Sequence, residues 1–208
     1  MFGTSGIRGP VGDVVTADLA LDVGRAVATD GAETVAVGRD ARDSGRFLLD
    51  AAAAGCRECG ADVIDLGLAA TPTLARSIAR LDADAGIAVT ASHNPPEDNG
   101  LKLWTPSGQA FDTDRRERIT EIIEREAYEY AAWDGSGDRR TDDRADAAHA
   151  TAIREAVSDN AAAAIDGLDI VVDVGNGVGS VTADALVDLG ASVTTLNAQP
   201  DGSFPGRP

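Results

Sequence analysis

Lysine is almost missing from this chain: of 18 basic side chains in 208 residues, 17 are arginine and one, Lys102, is lysine. Arginine keeps its charge on a planar fork, whereas lysine carries a compact ammonium whose pKa moves readily and which can give up a proton. A composition that strips lysine elsewhere and spares one copy marks Lys102 for a task arginine cannot perform. Basic charge as a whole is also scarce, since 35 acidic residues bring the formal net charge to -17. The acid is spread along the chain and not gathered in one tail. Nucleic-acid binding needs a basic face, so no nucleic-acid partner is expected. The acidic, lysine-poor, alanine-rich surface is instead the kind expected of a protein adapted to high salt, where screening relieves self-repulsion.

Long apolar runs are absent too. Nothing approaches the roughly 20 apolar residues of a membrane span. The start, Met-Phe-Gly-Thr-Ser-Gly-Ile-Arg, has no signal-peptide stretch, so a soluble, cytoplasmic protein with no membrane partner is expected. There are two cysteines, Cys56 and Cys59, spaced as Cys-x-x-Cys. No second pair accompanies them, and both fall in a helical pattern where small apolar residues pack, so they are read as structural and not as a redox or metal pair.

What is present alternates between helical and extended patterns. Residues 16–29 form a helical stripe, residues 33–38 a strand, residues 44–59 a helix stopped by Gly60, and residues 63–66 a second strand. A helix from Thr71 to about Leu81, strands at residues 86–89 and 101–104, and a long charged helix over residues 112–133 follow. The charged stretch of residues 134–146 marks a domain boundary. Beyond it lie one helix over residues 147–164 and one strand–helix–strand unit over residues 168–196. Strands separated by helices of this length predict an α/β fold, with a mixed, mainly parallel sheet carrying helices on both faces. The division expected is a complete first domain over residues 1–140 and an incomplete second of the same class over residues 141–208.

Sites on such sheets gather at the carboxyl edge of the strands. The loop Thr90-Ala-Ser-His-Asn-Pro-Pro-Glu-Asp-Asn-Gly-Leu-Lys102 follows one strand and ends on the lone lysine. It offers Ser92 as a nucleophile and His93 and Lys102 as proton-transfer or cationic groups, on a backbone bent by Asn94-Pro95-Pro96 and Asn99-Gly100. The segment Arg39-Asp-Ala-Arg42-Asp-Ser44 follows a neighbouring strand and can share that rim. One of its arginines can face an anionic ligand with the aspartates orienting it, or its four charges can form a solvated loop. Gly3-Thr-Ser-Gly-Ile-Arg-Gly9 has the parts to wrap a phosphate, namely Thr4, Ser5, backbone amides and Arg8, or it can be an ordinary turn. Gly175-x-Gly177-x-Gly179 is not the dinucleotide spacing and is read as structural. A serine hydrolase lacks support, because no Gly-x-Ser-x-Gly elbow is present and adjacent side chains on an extended loop point apart.

Together, Gly3-Thr-Ser-Gly-Ile-Arg-Gly9, Val37-Gly-Arg-Asp-Ala-Arg-Asp-Ser-Gly45, the Ser92 loop and Asp173-Val-Gly-Asn-Gly-Val-Gly-Ser180 resemble the α-D-phosphohexomutase superfamily, the phosphoglucomutases, phosphomannomutases and phosphoglucosamine mutases. The resemblance implies that Ser92 is a phosphorylated serine, exchanging its phosphoryl group with a hexose phosphate through a hexose 1,6-bisphosphate. It places Lys102 and Arg8 beside the transferring group and His93 on the same loop, with Thr4, Ser5, Arg39 and Asn94 as candidate phosphate-binding residues. It also implies Mg2+, held through the Ser92 phosphate and the aspartates of an Asp-Gly-Asp-x-Asp-Arg loop. No such sequence occurs here, and Pro200-Asp-Gly-Ser-Phe-Pro205 resembles the segment that precedes it. The expectation is therefore the N-terminal part of a phosphohexomutase, inactive on its own. The alternative is a non-catalytic phosphate-binding or interaction module that self-associates through the unclosed second domain.

Overall fold

The computed structural model describes residue 3 and residues 6–205. Its main sheet has six strands in the order β1-β5-β4-β2-β3-β6, formed by β1 (Ile7–Pro10), β2 (Thr34–Arg39), β3 (Asp62–Leu68), β4 (Ala85–Val89), β5 (Asp98–Trp104) and β6 (Arg139–Thr141). Strands β4, β2, β3 and β6 run parallel, and β5 pairs antiparallel with both β4 and β1. The expected α/β class, with a mixed and mainly parallel sheet, is what is found. The reversed β5 matters for function, because it carries the chain from the end of β4 straight back across the same rim.

Helices cover both faces. On one, α1 (Ala17–Thr29), α2 (Gly45–Glu58) and α4 (Thr113–Glu124) pack through Val23, Val27, Leu48, Ala52, Ile119 and Ile123 onto Val35, Val37, Val63, Ile87 and Leu101. On the other, Leu74 and Ile78 of α3 (Thr71–Arg80) pack onto Ala36, Ile64 and Ala88. Alternate residues of each strand thus serve opposite cores, as a two-sided sheet requires. Helices α1 and α2 touch backbone to backbone. A Cβ at Gly24 would sit 2.1 Å from the Ala52 carbonyl oxygen, and one at Gly55 2.1 Å from that of Leu21. Cys56 is fully buried in this contact, and burial pushes its thiol up to about 12, far from the thiolate that redox or metal chemistry needs.

Two helices are shorter than the sequence suggests. The pattern over residues 112–133 is helical only to Glu124; Glu126 then takes φ 49°. Beyond it the chain is held extended by Ala131 N–H to the Glu58 carbonyl, Glu129 N–H to Thr29 Oγ1, and Arg25 lying over the rings of Tyr128 and Tyr130. The expected helix over residues 147–164 is two, α5 (Ala145–Ala156) and α6 (Asp159–Ile165), because Ser158 breaks the run and caps the second by accepting from Ala161 N–H. The charged stretch read as a boundary contributes β6 to the edge of the main sheet.

Strands β7 (Asp169–Asp173) and β8 (Ser192–Leu196) pair in parallel around α7 (Val181–Asp188). Helix α5 packs Ala150 onto Val181 and Ala185 of α7. It also reaches α3, where His149 Nδ1 lies 2.8 Å from Thr73 Oγ1 in a buried contact.

Candidate active site

Strands β2 and β4 are parallel neighbours with Arg39 opposite Val89, so the loops that leave them start side by side. Asp40, just past β2, is buried. Its Oδ1 accepts from Arg42 N–H at 3.0 Å, and its Oδ2 accepts from Arg42 Nε at 3.1 Å and from the Thr90 hydroxyl at 2.6 Å. The same Thr90 oxygen accepts the Ser92 N–H at 3.0 Å. Ser92 sits at φ 58°, a left-handed conformation that costs free energy for a non-glycine residue and persists where surrounding contacts impose it.

Arg42 is the main source of that constraint. Its side chain is fully buried, and its guanidinium donates to four carbonyl oxygens of the Ser92 loop. The nitrogen Nη1 reaches Pro95 at 2.5 Å and Asp98 at 2.8 Å, while Nη2 reaches Asn94 at 2.7 Å and Ser92 at 3.3 Å. A planar fork with five donors can hold a bent loop from inside in this way; a lysine cannot. Asn99 completes the frame, donating from Nδ2 to Ser44 Oγ at 2.9 Å and accepting the Gly100 N–H at 2.8 Å.

The return strand delivers the cation. In β5, Leu101 and Leu103 face the core, so Lys102 between them projects to the opposite face. Ile7 and Arg8 of β1 lie opposite Leu101 and Gly100, which places Arg8 on the face of Lys102. Lys102 Nζ donates to Ser92 Oγ at 2.8 Å. Partial burial, followed by the nearby Arg8 charge, lowers the Lys102 pKa, with Asp40 pulling weakly the other way. Gly6, at φ 111°, brings the N-terminal segment flush against this lysine: a Cβ there would meet the Leu101 carbonyl oxygen at 2.3 Å and Lys102 Cγ at 3.1 Å.

The structure therefore joins Ser92 and Lys102 directly, with Arg8 on their face. His93 is exposed on the loop, and among the described residues no hydrogen bond links it to Ser92. Asn94 spends its side-chain amide on Asp98 Oδ2 at 2.7 Å, stitching the loop to itself. Arg39 is half-buried and donates to the Asp40 carbonyl at 3.2 Å. Burial and then the neighbouring Arg46 lower its pKa, and it lines a pocket of about 270 Å3 with Arg42, Asp43, Arg46 and Asp201. Thr4 and Ser5 lie outside the described residues. Arg42, one of the two arginines with an open role in the sequence, is neither ligand nor solvated charge but the loop's internal clamp. Asp40 and Thr90 were missed as a relay to the Ser92 backbone, since nothing in the sequence shows that β2 and β4 are neighbours.

The Mg2+ implied by the resemblance does not fit these side chains. Among the described residues no three His, Cys, Asp or Glu form a group able to hold a metal. Asp40, the carboxylate linked to the Ser92 backbone, is committed to Arg42 and Thr90. A phosphate on Ser92 offers one ligand group, short of an octahedral shell.

Residues 1–130 match the model of the phosphoglucomutase/phosphomannomutase α/β/α domain I. The chain belongs to the phosphoglucomutase/phosphomannomutase family. It is 45% identical over 208 residues to a probable phosphoglucosamine mutase of Methanopyrus kandleri, covering 99% of this chain and 45% of the relative. It is 42% identical to the protein of the same name from Methanococcoides burtonii, covering 100% and 46%. Among solved structures, a phosphoglucomutase/phosphomannomutase family protein from Burkholderia thailandensis superposes with a TM-score of 0.81 at 31% identity, over 99% of this chain and 46% of that one. The chain thus spans about half the length of the curated family members it matches.

Proposed function

We propose that this chain carries the phosphoryl-accepting part of a phosphohexomutase site, with Ser92 as the residue that is phosphorylated and Lys102 as the cation that serves it. The observation that carries this reading is the 2.8 Å contact between the only lysine and the hydroxyl of a serine held in a left-handed loop. Phosphoryl transfer is a matter of positioning and charge stabilisation, and both are built here.

From a phosphorylated Ser92, a sugar hydroxyl oxygen forms the new bond to phosphorus as the bond from phosphorus to Ser92 Oγ breaks. The hydroxyl proton ends on Oγ. Lys102, already donating to that oxygen, offsets the negative charge as it builds, and Arg8 on the same face supports the phosphoryl oxygens. The product is a hexose 1,6-bisphosphate, whose other phosphoryl group returns to Ser92 by the reverse sequence to leave the isomeric hexose monophosphate. A phosphoserine carries about -1.5 to -2 charges near neutral pH, so on a protein of net charge -17 this cationic corner is needed to hold it. Thr4, Ser5 and Arg39 are assigned to the sugar phosphate. His93, and the backbone beside Asn94, line the loop. The name shared by the archaeal relatives favours a glucosamine phosphate as the sugar. Full conversion belongs to the longer protein, with Mg2+ held by ligands other than those described here; the chain alone is expected not to interconvert hexose phosphates.

Intact-mass analysis of the purified chain, with peptide mapping, tests the assignment. Phosphoserine at Ser92, absent from Ser92→Ala, is expected. Labelling of Ser92 by a fluorophosphonate would instead indicate a hydrolase.

A second reading, as an association module, is favoured by one observation. Leu168, Val171, Val187 and Leu196 of the two-stranded unit are large apolar side chains left exposed. Sedimentation of the chain at several concentrations would show self-association if that surface is used.

A further inference from the structure

We propose that Phe204 is a positioning residue for the Ser92 loop and acts through Arg42, so that the segment after β8 governs how firmly the serine is held. The functional consequence rests on the phosphoserine reading above; the mechanical coupling does not.

Three contacts converge on it. The ring of Phe204 is itself buried and lies over the Arg42 guanidinium, 5.0 Å from its centre. That guanidinium holds four carbonyl oxygens of residues 92–98, and an aromatic cover both attracts the cation and keeps water from competing for those bonds. The backbone of the segment is pressed onto the loop after β2. A Cβ at Gly202 would sit 2.7 Å from Asp43 N and 2.8 Å from the Ala41 carbonyl oxygen, so no side chain fits between them. The segment is in turn shaped by the turn after β7. Asn176 donates its N–H to the Asn197 carbonyl at 2.8 Å and its Nδ2 to that of Gln199 at 3.1 Å, and its carbonyl accepts Asp201 N–H at 2.9 Å.

Phe204 is also conformationally forced. It takes φ 48°, unusual for a bulky L residue, in a turn closed by its N–H to the Asp201 carbonyl at 3.0 Å, with Ser203 donating twice to Asp201 Oδ1. A strained turn that presents one aromatic ring to one buried arginine is a device for placing that ring. The glycine-rich turn at residues 175–177 thereby gains a purpose: it aims the segment that seals the clamp.

Amide hydrogen exchange on the intact 208-residue chain tests this without any phosphoryl donor. Phe204→Ala and Gly202→Ala are each expected to speed exchange at Asn94 and Asp98, whose N–H groups close the loop's turns, by about tenfold, with β2 and β4 unchanged. Phe204→Tyr is expected to behave as the parent. Unchanged exchange at Asn94 and Asp98 while the amides of residues 201–204 open would overturn the proposal. So would uniform acceleration across the sheet, which marks Phe204 as a plain stability contact. The rate of Ser92 phosphorylation in Phe204→Ala is a separate readout. If exchange responds but Ser92 of the longer protein accepts no phosphate in parent or variant, the coupling stands and the mutase reading falls.

Discussion

Lys102 Nζ lies 2.8 Å from Ser92 Oγ, and the nine residues between them run from the loop that leaves β4 into β5. The contact exists because β5 reverses. A parallel crossover would have carried residue 102 to the far end of the sheet, whereas the antiparallel return sets it opposite Ala88, one residue short of the rim.

Lys102 is the only lysine, so its titration can be read without assignment ambiguity. Burial and Arg8 lower its pKa below the ordinary 10.5, so the charged form carries a cost in the folded state. That cost is present at neutral pH and is relieved as pH rises through the folded pKa toward the unfolded value. Carbon-13 methylation of the amine, followed by NMR, is expected to show a pKa below that of a free lysine. Phosphorylation of Ser92 should move it upward, since a neighbouring dianion favours the ammonium. A value at or above 10.5 in the unphosphorylated chain contradicts the geometry.

Arg42 is fully buried and serves Asp40 and four carbonyls at once. Arg42→Ala leaves a buried carboxylate and those oxygens without their donor, and the expected loss is about 3–5 kcal/mol in urea unfolding. Arg42→Lys is expected to recover little, because an ammonium has three donors and no fork. A loss under about 1 kcal/mol would mean that solvent reaches the loop from inside.

His149 joins α5 to α3 through Thr73, and burial followed by Arg76 lowers its pKa, with Asp146 opposing. The folded state therefore disfavours the charged form. Above the unfolded pKa, near 6.5, both states are neutral; as pH falls through it the unfolded chain takes a proton that the folded chain resists, and stability is lost. Melting of the parent is expected to fall more steeply between about pH 7 and 5 than that of His149→Gln, whose side chain does not titrate there. Parallel slopes would mean that the imidazole is solvated.

Much of this was legible in the sequence for physical reasons. Periodicity placed α1, α2, α3 and β2 because their buried faces are continuous, as with Val23 and Val27 on α1. The Ser92 and Lys102 pair was legible because polar residues cluster after an apolar strand and because lysine is otherwise absent. Strand β6 was not, since all three of its residues are exposed and carry no alternation. Helix α4 was overextended because its end is set by Tyr128 and Tyr130 meeting Arg25, some hundred residues away in sequence. The role of Arg42 was not legible for the same reason: the carbonyl oxygens it holds lie 50 to 56 positions ahead, and only the register of β2 against β4 brings them together.

The most direct test is transfer of a phosphoryl group from α-glucose 1,6-bisphosphate or its glucosamine counterpart to the longer protein that contains this chain, in the presence of Mg2+, followed by site-mapping mass spectrometry. One phosphoryl group per chain, found at Ser92, abolished in Ser92→Ala and slowed at least about tenfold in Lys102→Met, is the expected result. Phosphate distributed over other serines, or transfer to Ser92 that is indifferent to the loss of Lys102, would show that the contact between these two side chains has no part in the chemistry.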